Sequence, residues 1–166
     1  MRKEFQIILV IAMSLSISCN TRNTKKNEAA ANQLAGTWRL LEYTDFDTVT
    51  GKPKYPYGEH PNGYFTYTKN GIVNINGSAE KPLIVAPADE YKTQFTLGAL
   101  LDKAFGYFGT YTIDTINSVV THHVTGGSVL TYIGTDQHRQ FVLKGDTLLL
   151  GDPQFKKGKR VLVREE

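Results

Sequence analysis

The strongest constraint on this chain is a repetition that begins at Gly36: short runs rich in Thr, Val, Ile, Tyr and Phe, cut at close intervals by Gly, Asn, Asp and Pro. Branched and aromatic side chains fit a pleated surface, and the residues between the runs turn the backbone, so each run reads as a strand. Eight qualify: Thr37–Asp45, Gly63–Lys69, Ile72–Asn76, Tyr107–Asp114, Ser118–Thr125, Arg139–Leu143, Thr147–Leu150 and Arg160–Arg164. Lys69-Asn70-Gly71 and Lys144-Gly145-Asp146 read as hairpin turns in which Asn or Gly takes positive φ, so neighbouring strands are antiparallel and sequential. The expected fold is an all-β, eight-stranded antiparallel up-and-down barrel, because closure removes the edges an open meander would expose. One segment departs from the pattern. Ala88 to Ala104 carries Tyr91, Phe95 and Leu97 to Leu101 at loosely helical spacing behind Pro87 and Asp89, which predicts one helix between the third and fourth strands, covering an end of the barrel.

Upstream of the strands the composition changes twice. Met1-Arg2-Lys3 is a basic start, Phe5 to Ile17 is mostly apolar, and Ser18 precedes Cys19, the only cysteine. This arrangement resembles a bacterial lipoprotein signal, which implies cleavage before Cys19 and lipidation of its thiol; an ordinary secretory signal is the first alternative, and an uncleaved membrane anchor ranks third because the apolar run is shorter than the ~20 residues a bilayer needs. A lone cysteine in an exported chain has no internal disulfide partner, and lipidation accounts for it. Residues 20–32 are polar and nearly free of large apolar groups, so they read as a flexible tether. The expected organisation is therefore a signal peptide over 1–18, a lipidated cysteine and tether over 19–33, and a barrel domain over 34–166. Because no acidic cluster follows Cys19, the expected location is the cell envelope, membrane-anchored and facing the periplasm.

With 40% hydrophobic and 21% charged residues, the chain suits one globular domain that needs no bridges. Its 19 Lys and Arg against 16 Asp and Glu are interspersed, which argues against nucleic acid as a partner, since phosphate binding needs a clustered basic footprint. The short run Lys156-Lys157-Gly158-Lys159-Arg160 reads as a solvated turn.

The stretches LAGTWRLLEY (Leu34 to Tyr43), PYGEHPNGYFTYTKNG, GYFGTYTID, THHV and YIGTDQHRQFVLKGDTLLL occur in the order found in the lipocalin-like domain family of bacteria and fungi, which the chain resembles over Leu34 to Leu150. The resemblance implies a barrel with a pocket and no particular reaction. It also implies that Gly36 and Trp38 close the bottom of the barrel under an arginine from the last strand. Arg160 completes that structural set, and Arg164 stands at a matching position too.

His122 and His123 are two of the four histidines, and they are adjacent. Side chains alternate along a strand, so the pair faces opposite ways and cannot ligate one metal; with no spaced His or Cys set elsewhere, no metal site and no organic cofactor are implied. His122 shares a face with Val120 and Val124, and His123 with Val119, Thr121 and Thr125, so His122 is the one expected to point inward. By the same rule Tyr107, Tyr111 and Ile113 share a face, as do Arg139, Phe141 and Leu143. The expected ligand site is Arg139 as a charged donor, His122 and Tyr111 as hydrogen-bonding groups, and Tyr67 or Tyr132 as aromatic wall. The competing reading is that the polar groups bond one another, with Asp136 or Glu42, inside a filled barrel.

Three function classes follow. The first is an envelope lipoprotein holding a small apolar or amphipathic molecule in the cavity. The second is an enzyme of the same shape, an isomerase or cyclase using His122 and Tyr111, although no nucleophile elbow, phosphate loop or paired carboxylates occur and no catalytic residue is assigned. The third is a filled barrel acting through its surface, with Tyr55-Pro56-Tyr57-Gly58 as the contact patch.

Overall fold

The computed structural model of the chain describes residues 23–84, 96–152 and 156–165. Nine strands run in the order β2-β1-β3-β4-β5-β6-β7-β8-β9, every neighbouring pair is antiparallel, and β1 also pairs with β9. That last pairing closes eight strands into a barrel. They are β1 (Gly36–Phe46), β3 (Asn62–Tyr67), β4 (Ile72–Ser78), β5 (Ala104–Asp114), β6 (Val119–Gly127), β7 (Asp136–Lys144), β8 (Thr147–Gly151) and β9 (Gly158–Arg164). Each of the eight expected strands is present, with ends moved by a few residues. β2 (Pro53–Lys54) is an additional two-residue strand that pairs only with the end of β1.

Two helices correct the expectations. Residues 23–34 form helix α1, where the sequence reads as a flexible tether; residues 19–22 lie outside the described residues. The helix is held by the barrel rather than by its own apolar stripe. Leu34 is fully buried, Trp38 Nε1 donates to the Leu34 carbonyl (2.8 Å), and Arg164 donates to the carbonyls of Gln33 (2.6 Å) and Ala35 (2.9 Å). These are the carbonyls a helix end leaves without intrahelical partners, and the arginine charge also suits the negative end of the helix dipole. Nearer its start, the Asn27 side-chain carbonyl accepts from the Thr115 amide (3.2 Å) and hydroxyl (2.6 Å) in the β5–β6 turn.

The helix expected over Ala88 to Ala104 is shorter at its C-terminal end. Residues 85–95 lie outside the described residues, and α2 spans Leu97–Leu101, capped by Thr96 Oγ1 accepting from the Ala99 amide (3.1 Å). Ala104 already belongs to β5, where Phe105 and Tyr107 alternate inward with strand periodicity and pair with Gly77 and Ile75 of β4.

Turn chemistry sets the hairpins. Gly145 opens the two-residue β7–β8 turn at φ +55° and Gly71 closes the β3–β4 turn at φ +84°, values that cost glycine little. Alternation then fills the lower barrel with Trp38, Leu40, Val73, Val120, Leu148 and Leu162, all at most 2% exposed. β6 carries an extra residue, Thr125, opposite the Phe108–Gly109 step of β5, and this bulge shifts the register between the two strands. At Gly109 a Cβ would overlap the carbonyl oxygen of His123, so the two backbones approach as they do only because that residue is glycine.

Candidate ligand-binding site

Above the packed lower half lies a cavity of about 210 Å³. Its apolar wall comes from Phe65, Ile75, Phe105 and Leu150 on β3, β4, β5 and β8. Tyr57, Leu101 and Val129 from the loops and α2 stand at its upper edge. Tyr43, Tyr57 and Phe105 form one aromatic cluster with centroids 4.7–5.2 Å apart, and the Tyr57 hydroxyl donates to the Leu101 carbonyl (3.1 Å), tying the mouth loop to α2.

The polar side is built around His122. The ring is 1% exposed, and both nitrogens meet phenol groups: Nε2 lies 2.9 Å from the Tyr67 hydroxyl and Nδ1 lies 2.8 Å from the Tyr107 hydroxyl. Burial, then the Arg139 charge, then His123 lower the His122 pKa to about 3, so the ring is neutral in the physiological range. Burial also pushes the Tyr107 hydroxyl up to about 12 and the Tyr67 hydroxyl well above its usual value, which keeps both phenols protonated.

Arginines supply the charge. Arg139 lines the cavity with its guanidinium 5.7 Å from the centre of the Tyr132 ring; it donates to the His138 carbonyl (3.0 Å) and Gln137 Oε1 (3.1 Å), and forms no ion pair among the described residues. Arg160 lines the same cavity, stacked 3.5 Å from the Tyr43 ring centre and paired with Asp45 (3.1 Å). No carboxylate is among the described residues that line the cavity.

Of the residues read from sequence, His122, Arg139 and Tyr132 line this one space. Tyr67 reaches it only through His122, standing fully buried behind the ring. Tyr111 does not come to it. Its Cα pairs with His122 across the strands, but its hydroxyl points to the closed end and donates to the Thr68 carbonyl (2.8 Å). Tyr107, four residues earlier on the same face and so about 13 Å along the strand toward the mouth, is the β5 phenol that meets His122. His123 stands on the outside, bonded to Asp136 (2.7 Å) and Thr112 (3.0 Å), and Glu42 pairs with Lys159 (3.1 Å), so neither carboxylate joins a network with His122. Arg160 is likewise not the arginine over Trp38. That position belongs to Arg164, 4.1 Å from the ring centre, because Trp38 pairs with Arg164 across the closing strands while Arg160 pairs with Tyr43. Gly36 begins β1 opposite Tyr67 of β3, beside Trp38 at the closed end. The Tyr55 to Gly58 segment is divided, with Tyr55 exposed and Tyr57 packed at the mouth.

A family model described as a lipocalin-like domain matches residues 35–161, and the chain belongs to that family. A comparison with curated proteins finds no match.

Proposed function

We propose that the protein is an envelope lipoprotein that holds a small apolar or amphipathic molecule in the upper half of its barrel. The observation that carries this reading is the cavity of about 210 Å³, apolar on one side and furnished on the other with Arg139, which has no ion-pair partner among the described residues. A buried space with a few convergent polar groups is the usual form of a small-molecule site. Its size lies below the roughly 300 Å³ at which drug-sized sites begin, so the molecule is small.

Lipidation at Cys19 would orient the barrel. Residues 20–22 lie between Cys19 and α1, and four peptide steps reach at most about 14 Å. Since Asn27 is bonded to the β5–β6 turn, a lipid on Cys19 holds the closed end toward the membrane and leaves the mouth facing the aqueous space. The absence of an acidic cluster after Cys19 favours the periplasm as the space the mouth faces.

Thermal unfolding against a panel of small aliphatic and aromatic amphiphiles tests the carrier reading. A ligand present at about 100 times its Kd stabilises the fold by about 2.7 kcal/mol, equivalent to roughly 5–10 °C in Tm for a domain of this size. No shift with any member small enough for the cavity would contradict it.

A further inference from the structure

The hydrogen-bond arithmetic around His122 specifies what the cavity asks of its occupant. A neutral imidazole carries one N–H and one lone pair, and each phenol carries one O–H. Tyr67, His122 and Tyr107 therefore hold three protons to donate and share two hydrogen bonds, so one proton is always left over. It is not the Tyr67 proton. That hydroxyl is fully buried, does not line the cavity, and has no partner other than His122 Nε2 among the described residues; turned away from the ring, its O–H would be stranded at a cost of about 1–3 kcal/mol. Tyr67 thus donates to Nε2, the ring carries its proton on Nδ1, and Nδ1–H donates to the Tyr107 oxygen. The unused proton is the Tyr107 O–H, on a residue that faces the cavity.

We propose that the cavity binds a small apolar carboxylate, with the Tyr107 hydroxyl and the Arg139 guanidinium as its direct donors and Tyr67 and His122 as positioning residues that aim the Tyr107 proton. This rests on the reading of the cavity as a ligand site and deepens it by fixing the ligand's polarity. Every polar group assigned to the contact donates, Arg139 brings a positive charge, and no acidic side chain among the described lining residues competes with an anion. An ionised carboxylate accepts from several donors at once and binds a guanidinium in two places; an amine offers neither, and an alcohol has no charge.

Two measurements on the full chain test this. Nitrogen-15 NMR of the His122 ring at neutral pH reads the tautomer directly, with protonated Nδ1 expected. Calorimetric titration compares 3-phenylpropanoate, 3-phenylpropan-1-ol and 3-phenylpropylamine, which share one apolar body. The acid is expected to bind at least about tenfold tighter than the alcohol, with Tyr107→Phe and Arg139→Gln each removing most of that preference. A ring protonated on Nε2, or an alcohol or amine binding as tightly as the acid, would overturn the polarity assignment and leave the cavity a ligand site. Failure of all three to bind would overturn the assignment together with the ligand-site reading beneath it.

Discussion

The guanidinium of Arg164 lies 4.1 Å from the centre of the Trp38 ring, on the pair of strands that closes the barrel. From there it also donates to the carbonyls of Gln33 and Ala35, so one side chain joins the closing strand, the barrel floor and the end of α1. Arg164→Ala is expected to cost about 2–3 kcal/mol, from a cation–π contact and two charge-assisted hydrogen bonds. Arg160→Ala, at the mouth, is expected to cost less: it too stacks on an aromatic ring, but it makes one longer backbone hydrogen bond, to Thr44 (3.3 Å), and its partner Asp45 is partly exposed. Urea unfolding of both variants separates the two roles, and equal losses would contradict the assignment of Arg164 to the floor.

The neutral His122 gives stability a pH dependence. Its folded pKa of about 3 lies below the ordinary 6.5, so between those values the unfolded chain binds more protons than the folded one. The contribution is complete above pH 6.5 and is lost as pH falls toward the folded pKa. From this group alone, about 2 kcal/mol is expected to disappear between pH 7 and pH 5. His122→Gln, which retains a donor and an acceptor in the barrel, is expected to reduce that loss when unfolding is followed across the same interval.

Gly109 controls the spacing of β5 and β6 beside the site. A Cβ there meets backbone rather than a movable side chain, so the strands must separate. Gly109→Ala is expected to destabilise the protein by about 2–3 kcal/mol, read from denaturant midpoints. Its neighbour His123 leads directly to His122, so the same variant is expected to disturb the His122 ring signals by NMR even under conditions where the barrel remains folded.

If Cys19 carries the lipid, Cys19→Ser is expected to move the protein from the membrane fraction of its host to the soluble fraction almost completely. Membrane retention of the serine variant at the level of the parent protein would contradict lipidation at that residue.

The alternation of side chains made the barrel legible. Trp38, Phe65, Val73, Ile75, Val120 and Val124 point inward as a two-residue period requires, and His122 is buried while His123 is not. Alternation fixes a face and is silent about height along the barrel. Tyr107 and Tyr111 share a face, and the register that sends one hydroxyl to His122 and the other to Thr68 depends on hairpin and bulge geometry absent from a local pattern. The same limit separated Arg160 from Arg164, both inward on β9, one at each end. β2 is too short for any periodic signal. Helix α1 was hidden for a different reason: its sequence is polar, and its anchoring partners, Trp38 and Arg164 on strands and Thr115 in the β5–β6 turn, lie up to 131 residues away.

The most direct test is native mass spectrometry of the protein isolated from its own host without denaturation, followed by extraction of whatever it carries. The expected result is a stoichiometric small-molecule adduct, compatible in size with a cavity of about 210 Å³ and strongly depleted in Arg139→Ala. A clean unliganded mass for the parent protein, with no thermal shift across the amphiphile panel, would contradict a carrier and leave the barrel acting through its outer surface.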